Sequence, residues 1–515
     1  MHTWKQLLTV AIGFTSFTLG QSFNNPVLWE DLADNEVIRV DNTYYFTAST
    51  MHYSPGAPIL RSYDLVNWEY LSHAVPKLDW GTKYDLTGGQ QAYIKGIYAS
   101  TLKYRKSNGL WYWIGCIEYS TTYVFTATSP TGPWTQKAKI ATCYYDAGLL
   151  IDDDDTMYVA YGNTQLNVAQ LAADGLSEVQ KKSVYSTPSS IGVLEGSRMY
   201  KRNGKYYIFA TKPASGQYVL QASSPWGPYT VKTLVQGVSP PISGAGNPHQ
   251  GSLVDTPDGK WYYMAFIDNY PGGRVPVLAP VTWGSDGFPA VTLSNGAWGS
   301  SYSYPATQHA VQSTLGTDTF SGSSLGPAWE WNHNPDTTRF KVANGLTLST
   351  ATVTSDLYAA RNTLTKRIHG PNGTGTVVID FASMADGDRA GLALLRQSSA
   401  YIAVQRSGSS YSIVMYNGLT MVDSTWATAS TGSQAASKSI SQKSIWLRAT
   451  ADIHPGSGKI GSFAYSLDGN TFVTFGSQLI LNNDWKFYMG YRYGIFNFAT
   501  KGLGGSVKVV SFTSA

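Results

Sequence analysis

Residues 24–305 repeat one pattern of apolar and polar positions five times. In each repeat a short apolar run is followed by a turn rich in Asn, Asp and Gly, and then by a second apolar run. Asn-Gly and Asp-Gly supply the positive φ that short hairpin turns need. The pattern therefore predicts five β-hairpins, with first strands at Val37–Val40, Leu102–Tyr104, Leu149–Asp152, Arg198–Lys201 and Leu253–Asp255.

The second strand of each hairpin opens with two large side chains. These pairs are Tyr44-Tyr45, Trp111-Tyr112, Met157-Tyr158, Tyr206-Tyr207 and Trp261-Tyr262. Repeats of about 45–65 residues that carry several strands each are typical of a β-propeller. Because one small sheet is unstable alone, the blades must stack, and the aromatic pairs are interpreted as packing between blades. We expect an all-β fold with a five-bladed β-propeller over residues 21–305.

A second domain is predicted after the repeats end. Residues 300–317 are rich in Ser, Tyr, Thr and Gln without a clear period, which is typical of a linker. From Asp318 onward, several runs alternate apolar and polar positions between turns rich in Gly, Asn and Asp. This pattern predicts a two-sheet β-sandwich, or jelly roll, over residues 318–515.

The composition agrees with an all-β protein and excludes several classes of function. Of the 515 residues, 14% are charged and 13% are aromatic, and the net charge is +4. Long apolar stripes of helical period are absent from the sequence, which argues against a helical bundle. The basic residues are scattered, so no nucleic-acid partner is expected. No apolar run is long enough to span a bilayer, so no membrane partner is expected either.

The N-terminus has the layout of a secretory signal peptide. A basic start with Lys5 precedes an apolar run from Leu7 to Leu19, and small residues follow at Gly20. We predict a signal peptide over residues 1–20 and a secreted, extracellular protein; a buried N-terminal helix is the alternative. The sequon at Asn372 fits glycosylation outside the cell.

Only two cysteines occur, Cys116 and Cys143. In an oxidising compartment they could pair, but a buried free thiol at Cys116 is the alternative, because that residue lies in an apolar strand. Neither cysteine has the sequence context of a nucleophile.

Acidic residues recur at one position of the repeat. About a dozen residues before the second member of each aromatic pair stand Asp34, Ser100, Asp146, Glu195 and Gln250, the last beside His249. If the repeats are blades around one axis, the three carboxylates converge on a common centre.

Three converging carboxylates suit the hydrolysis of a glycosidic bond. One carboxylate can deprotonate a water while a second, protonated carboxyl protonates the leaving oxygen. A third negative charge raises the pKa of the acid, which keeps it protonated at mildly acidic pH. Opposite sides of a propeller funnel leave room for the water, which favours inversion, for which carboxyl separations are about 6.5–9.5 Å.

The chain resembles glycoside hydrolase family 43, and in particular its two-domain fungal members that act on arabinoxylan. The segments that carry the resemblance are Asp34–Val40, Tyr145–Asp154, Glu195–Tyr207, Pro248–Val254, Gly273-Arg274, Ala279–Trp283, Asp318–Phe320 and Trp329–Pro335. The resemblance implies a five-bladed propeller enzyme for arabinose- and xylose-containing polymers, followed by a C-terminal sandwich.

Matched position by position, the resemblance implies a role for each carboxylate. Asp34 matches the general base, Glu195 the general acid, and Asp146 the residue that orients the acid and tunes its pKa. The alternatives are a solvated loop acid for Asp34, a turn residue for Asp146 and a surface residue for Glu195. The family usually has Pro where this chain has Asn35 and often Trp-Ala-Pro where it has Tyr98-Ala99-Ser100, which puts the sugar-contacting wall in doubt.

The remaining site predictions concern the sugar and a structural ion. Candidate substrate-binding residues are Tyr53, Tyr98, Tyr145, His249, Gln250 and Arg274. The family's matching His lies on the propeller axis, so a structural calcium or sodium ion near His249 is possible, whereas a catalytic metal is not expected. No organic cofactor is implied.

Together these features predict a secreted, monomeric, inverting α-L-arabinofuranosidase that releases arabinose side chains from arabinoxylan or a related polysaccharide. The alternatives are a β-xylosidase using the same active site and a non-catalytic carbohydrate-binding propeller. The C-terminal domain could bind polysaccharide, complete the active-site cleft or brace the propeller.

Overall fold

The computed structural model describes residues 21–515, so the predicted signal peptide lies outside the described residues. Within them, two β-rich domains follow one another, with three short 3-10 helices at Thr82–Asp85, Leu357–Ala359 and Trp485–Phe487. No helix in residues 21–515 is both long enough and apolar enough to cross a membrane.

The first domain is the predicted five-bladed β-propeller. Each blade is an antiparallel four-stranded sheet whose strands follow one another in chain order. The strand bounds are Glu36–Val40, Thr43–Thr47, Gly56–Ser62 and Trp68–Val75 in blade 1; Thr101–Arg105, Leu110–Ile117, Thr121–Ala127 and Thr135–Ile140 in blade 2; Gly148–Ile151, Met157–Asn163, Gln165–Leu171 and Glu178–Ser186 in blade 3; Glu195–Arg202, Lys205–Lys212, Gly216–Ala222 and Thr230–Gln236 in blade 4; His249–Asp255, Trp261–Asp268, Arg274–Trp283 and Pro289–Val291 in blade 5.

The first strands of the five blades form the inner ring of the propeller. Each contacts the first strand of the next blade, and the first strand of blade 5 returns to that of blade 1. A two-stranded sheet of Ser22–Asn24 and Ser301–Ser303 ties the start of the domain to its end. Next to it, the Asn25 side chain donates to the carbonyl oxygens of Leu278 and Gly299, both at 2.9 Å. The ring therefore closes through the chain ends as well as through blade contacts.

The aromatic pairs pack between blades, as predicted. Tyr45 of blade 1 meets Trp111 of blade 2 edge to face, with ring centroids 4.6 Å apart. Both belong to a cluster in which Trp113 and Leu102 are fully buried. Because each fully buried large apolar side chain contributes about 1.5–3 kcal/mol, the interfaces between blades supply much of the stability of the domain.

The second domain is the predicted β-sandwich, with one sheet of nine strands and one of eight. The nine strands are Gly316–Asp318, Phe340–Val342, Leu346–Ser349, Asn372–Asp380, Ser444–Asp452, Ile460–Ser466, Val473–Thr474, Leu479–Ile480 and Ser506–Ser514. Seven strands of the other sheet are Glu330–Asn332, Leu364–Arg367, Asp388–Leu395, Ser398–Ser407, Ser410–Met421, Thr428–Ile440 and Arg492–Ala499. Buried residues strictly alternate along Ser444–Asp452, which is the period of a strand with one face in the core.

The eighth strand of that sheet comes from the propeller. Tyr53–Ser54, between the second and third strands of blade 1, pairs with Glu330–Asn332. The prediction that Tyr53 contacts substrate is therefore wrong: the residue is 1% exposed and its ring lies 3.5 Å from the guanidinium of Arg492, in the contact between the domains. The segment resembles a surface loop in sequence because the strand that covers it belongs to the other domain.

A buried ionic cluster holds this contact together. Glu330, which is fully buried, accepts hydrogen bonds from Arg367 at 2.9 Å and from Arg492 at 2.5 Å, and it lies 3.1 Å from His73 of blade 1. Although burial alone would raise the pKa of Glu330, the charges of Arg367 and Arg492 hold it well below its usual range.

Replacing Glu330 with Gln should destabilise the protein strongly. The substitution leaves two buried guanidinium groups without a counter-charge, which costs about 3–5 kcal/mol. The measurement is the free energy of unfolding from a urea titration at pH 7. The control Asp79→Asn, at an exposed pair with Lys77, should leave the urea midpoint unchanged. A midpoint for Glu330→Gln that equals the control's would contradict the role given to the cluster.

Candidate active site

Three acidic residues lie where inner strands enter the propeller ring. Asp34 and Asp146 lie two residues before the first strands of blades 1 and 3, and Glu195 is the first residue of blade 4. Asp34 and Asp146 adopt left-handed backbone conformations, with φ of 55° and 52°. Asp tolerates this conformation better than most residues, but it still costs roughly 1–2 kcal/mol. Strain of this kind is common where a fold fixes the direction of functional side chains.

One pocket of about 110 Å³ is lined by all three carboxylates. The other lining residues are Met51, Tyr98, Ala99, Tyr119, Tyr145, Gln250, Arg274 and Tyr488. Five of the lining residues, Glu195 and Arg274 among them, also line an adjoining cleft of about 780 Å³. The structure thus brings the three carboxylates, which are far apart in the sequence, into one small pocket that adjoins a larger cleft.

Asp34 is held by donors to both of its oxygens. The Ser49 hydroxyl donates to Oδ2 at 2.6 Å, and Arg274 Nη1 donates to Oδ1 at 2.8 Å. The residue is 6% exposed, so these two contacts fix its direction. Charge-assisted bonds of this type suit an ionised carboxylate, which is the form that can accept a proton.

Glu195 is held from the other side of the pocket. Its Oε2 accepts hydrogen bonds from the Tyr145 hydroxyl at 3.1 Å and from Asn163 Nδ2 at 2.6 Å. Burial raises the pKa of Glu195, and the nearby charge of Asp34 raises it further, against the opposing effect of the two donors. A carboxyl with a raised pKa stays protonated at mildly acidic pH and can donate a proton.

Asp146 interacts electrostatically with both Glu195 and Asp34. Burial raises its pKa well above the usual range, and the charges of Glu195 and then Asp34 add to that shift, while Arg198 and the backbone N–H of Gly196 oppose it. Because like charges in one buried pocket repel each other, ionising Glu195 makes Asp146 harder to ionise.

A buried arginine joins the strand entrances and was missed by the sequence reasoning. Arg198 is fully buried and donates to the carbonyl oxygens of Ala147 at 2.5 Å and Asp34 at 2.7 Å. It thereby connects the backbone beside Asp146 to the backbone of Asp34. Of the departures noted in the sequence, Asn35 is fully buried, and the Ser100 hydroxyl accepts from Trp113 Nε1 at 3.0 Å. Tyr98 and Ala99, in contrast, line the pocket.

His249 lines the cleft rather than the small pocket. It is 5% exposed, and its Nδ1 lies 2.8 Å from the carbonyl oxygen of Asn247. No group of three His, Cys, Asp or Glu side chains in residues 21–515 is arranged to hold a metal ion. The calcium or sodium ion near His249 stays a prediction.

The sandwich domain contributes part of the wall. Tyr488 lines the small pocket, and Asn483 and Trp485 line the adjoining cleft. The carbonyl oxygen of Tyr488 accepts from Arg274 Nε at 3.1 Å, so the same arginine contacts both Asp34 and the second domain. Of the three roles considered for this domain, completing the cleft is therefore visible in the structure. No local sequence signal marks these residues, because their partners lie in the propeller.

The two cysteines form a disulfide, so the alternative of a free thiol at Cys116 is wrong. The bond joins blade 2 to the segment that carries Tyr145 and Asp146 into the ring.

This arrangement can carry out acid–base chemistry on a neutral substrate. The carboxyl of Asp34, fixed by two donors, faces the same small pocket as the carboxyl of Glu195, whose pKa is raised. That division of labour is the one by which a pair of carboxyl groups cleaves a glycosidic bond.

Comparison with known proteins supports the same chemistry. Residues 23–289 match the model of the Glycosyl hydrolases family 43, and residues 317–513 match that of the Beta xylosidase C-terminal Concanavalin A-like domain. A beta-xylosidase of Formosa agariphila is 26% identical, over 96% of this chain and 90% of its own length. A non-reducing end alpha-L-arabinofuranosidase of Bacteroides ovatus is 28% identical, over 64% of this chain and 65% of its own.

One solved structure is similar over nearly the whole described chain. It is 47% identical with a TM-score of 0.93, and the match covers 96% of this chain and all of the other. It comes from the engineering of the active site of a GH43 glycoside hydrolase, which generated an enzyme with both endo-xylanase and exo-arabinofuranosidase activity.

Proposed function

Because the chain belongs to glycosyl hydrolase family 43, we propose that it is a secreted, inverting α-L-arabinofuranosidase that removes arabinose side chains from arabinoxylan or a related polysaccharide. The observation that carries this proposal is the single pocket lined by Asp34, Asp146 and Glu195.

In the proposed mechanism each carboxyl has one task. Asp34 takes a proton from a water molecule as that water attacks the anomeric carbon. Glu195 gives its proton to the glycosidic oxygen as the bond to the sugar breaks, so one proton enters the enzyme and one leaves it. Asp146 orients Glu195 and tunes its pKa, and Arg274 Nη1 donates to Oδ1 of Asp34 and holds that carboxyl in the pocket. No organic cofactor is needed for these steps.

Two features support cleavage of single terminal sugars. The pocket that holds the carboxylates is small, whereas the cleft beside it is several times larger. A terminal arabinose would fill the pocket while the rest of the polymer lies in the cleft. The solved structure that is 47% identical belongs to work on an engineered GH43 enzyme with exo-arabinofuranosidase as well as endo-xylanase activity, which supports the exo-acting arabinofuranosidase in part. Secretion is part of the same proposal, because a polysaccharide substrate of this kind is found outside the cell. The disulfide and the predicted signal peptide favour it.

A β-xylosidase is the second candidate. It is favoured by the similarity to the beta-xylosidase of Formosa agariphila, which extends over both domains. The same carboxyl groups would act, and only the sugar held in the pocket would differ.

The activity can be tested with two small substrates. Release of 4-nitrophenol from the α-L-arabinofuranoside should have a kcat/KM at least about tenfold above that from the β-D-xylopyranoside, since a mismatched sugar in a shaped pocket costs roughly 1–3 kcal/mol. The reverse ratio would establish the β-xylosidase instead. Hydrolysis of neither glycoside would favour a binding propeller without catalysis.

A further inference from the structure

Three tyrosines form a continuous stacked wall along one side of the active-site pocket. The ring of Tyr119 stacks between those of Tyr98 and Tyr145, with centroid separations of 5.3 and 5.8 Å and interplanar angles of 27° and 29°. All three residues line the pocket that holds the carboxylates. Tyr98 and Tyr145 are half-buried, but Tyr119 is 61% exposed and presents its ring to solvent.

Tyr119 is held in an unfavourable place. It follows Glu118 at the tip of the blade 2 hairpin, and both residues have φ of 55°. The Ser120 N–H donates to the Ile117 carbonyl oxygen, so the two residues are the centre of a hairpin turn, which needs positive φ at both positions. Gly, Asn and Asp adopt this conformation most readily, so Tyr at this position costs free energy, and a mostly exposed ring recovers little of the cost by burial. The turn explains the backbone, but the stability of the fold does not explain the choice of Tyr.

Two sets of bonds fix the wall. Cys116, three residues before Tyr119, is joined by the disulfide to Cys143, two residues before Tyr145, with their Cα atoms 5.1 Å apart. Beside it, the Thr122 hydroxyl donates to the carbonyl oxygen of Thr142 and accepts from the backbone N–H of Tyr144, both at 2.8 Å. These contacts fix the hairpin tip with Tyr119 against the segment that carries Tyr145 and Asp146.

The wall lies on the side of the pocket where the leaving group would be. The hydroxyl of Tyr145 donates to Glu195, which is the proposed general acid, and Tyr119 stacks directly on Tyr145. A general acid must reach the oxygen that connects the cleaved sugar to the polymer. The ring of Tyr119 lies next to that acid and is exposed to solvent, so it would face the polymer chain.

We propose that Tyr119 is a binding residue for the polysaccharide main chain on the leaving-group side, and that the Cys116–Cys143 disulfide is a positioning element that holds it there. This inference rests on the proposed function. The apolar faces of pyranose rings pack against aromatic rings, and a rigid tyrosine loses little side-chain entropy when it binds them. The disulfide limits the movement of the tip before the polymer arrives, and such preorganisation strengthens binding.

The test compares a polymer with a small substrate. For Tyr119→Ala, KM on arabinoxylan should rise about five- to tenfold more than KM on 4-nitrophenyl α-L-arabinofuranoside, since about 40–60 Å² of ring surface is lost from the contact. The double variant Cys116→Ser/Cys143→Ser should shift the same ratio in the same direction by about two- to threefold, because the Thr122 contacts remain. Tyr185→Ala, on the outermost strand of blade 3, is the control that should leave both substrates unaffected.

A second measurement is independent of the reaction. In a Glu195→Gln background, the Tyr119→Ala change should weaken the binding of linear xylohexaose, measured by calorimetry, by about five- to tenfold. An equal KM rise on both substrates would place Tyr119 against the cleaved sugar and overturn the proposal, as would unchanged binding of xylohexaose. Failure of the unaltered enzyme to cleave the arabinofuranoside would instead refute the proposed function, and the xylohexaose result would still judge Tyr119.

Discussion

Glu195→Gln should lower kcat on arabinoxylan by about three orders of magnitude, because loss of a general acid typically costs 10²–10⁴-fold. The amide keeps the size of the side chain and can still contact Tyr145 and Asn163, so the change removes the proton rather than the fold. A 2,4-dinitrophenyl arabinofuranoside should be cleaved with much less loss, since its leaving group departs as a stable anion and needs no proton. Steady-state kinetics on the two substrates measures the difference.

The control is another Glu→Gln change on the same scaffold. Glu69, in the outermost strand of blade 1, pairs with Arg61 away from the funnel, and its replacement should leave both rates unchanged. A Glu195→Gln enzyme with equal losses on both substrates would show that Glu195 does not protonate the leaving group.

Asp146→Asn should abolish most of the activity and at the same time stabilise the fold at neutral pH. The activity should fall roughly a hundredfold or more, because Glu195 loses its proposed orienting neighbour and the carboxyl with which its titration is linked. The same substitution removes a buried carboxyl whose pKa lies well above its usual range in the folded protein. Ionising that carboxyl at neutral pH costs folding free energy, and the neutral amide avoids the cost.

The sign of the pH dependence follows from the raised pKa. Relative to the variant, the native protein loses stability as the pH rises toward and through the folded pKa of Asp146, and the two are equally affected below the usual Asp pKa of about 3.9. Thermal melts at several pH values should therefore show a higher Tm for the variant at pH 7, by about 1–2 °C for each kcal/mol of relieved repulsion, and a difference that disappears near pH 4. A variant that melts lower than the native protein at pH 7 would contradict the raised pKa.

The kinetic profile gives a second readout for Asp146. Glu195 and Asp146 lose their last shared proton only at raised pH, because its loss puts two negative charges side by side. Asp146→Asn removes that repulsion, so the alkaline limb of kcat/KM should move to lower pH. If the alkaline limb of the variant does not move, Asp146 acts on Glu195 through its shape alone and not through its charge.

The repeated part of the fold could be predicted from local sequence, because each hairpin carries its own turn and its own aromatic pair. The register of those pairs also located Asp34, Asp146 and Glu195, since equivalent positions of stacked blades must meet at one axis. Whether the two cysteines pair depends on how the blade 2 hairpin lies against the entry to blade 3, which the sequence does not show. The structure resolves it with a disulfide.

What the sequence could not show depends on contacts between distant segments. The sequence predicts that Tyr53 contacts substrate, because it does not show that Glu330–Asn332 of the other domain covers this residue. Tyr488 and Trp485 reach the cleft from the sandwich, and nothing near them in the sequence marks a sugar site. The sequence around Arg198 does not distinguish it from a solvated strand residue. Its role depends on two carbonyl oxygens from distant segments, those of Asp34 and of Ala147 beside Asp146.

The claim on which the account depends is that Asp34 and Glu195 act together on one sugar, through an attacking water and without a covalent intermediate. Proton NMR of the first arabinose released from wheat arabinoxylan, recorded before mutarotation, tests it directly. We expect β-L-arabinose, the inverted anomer of the α-linked side chain. Initial release of the α anomer would show retention, and would mean that a carboxylate attacks the sugar in place of water.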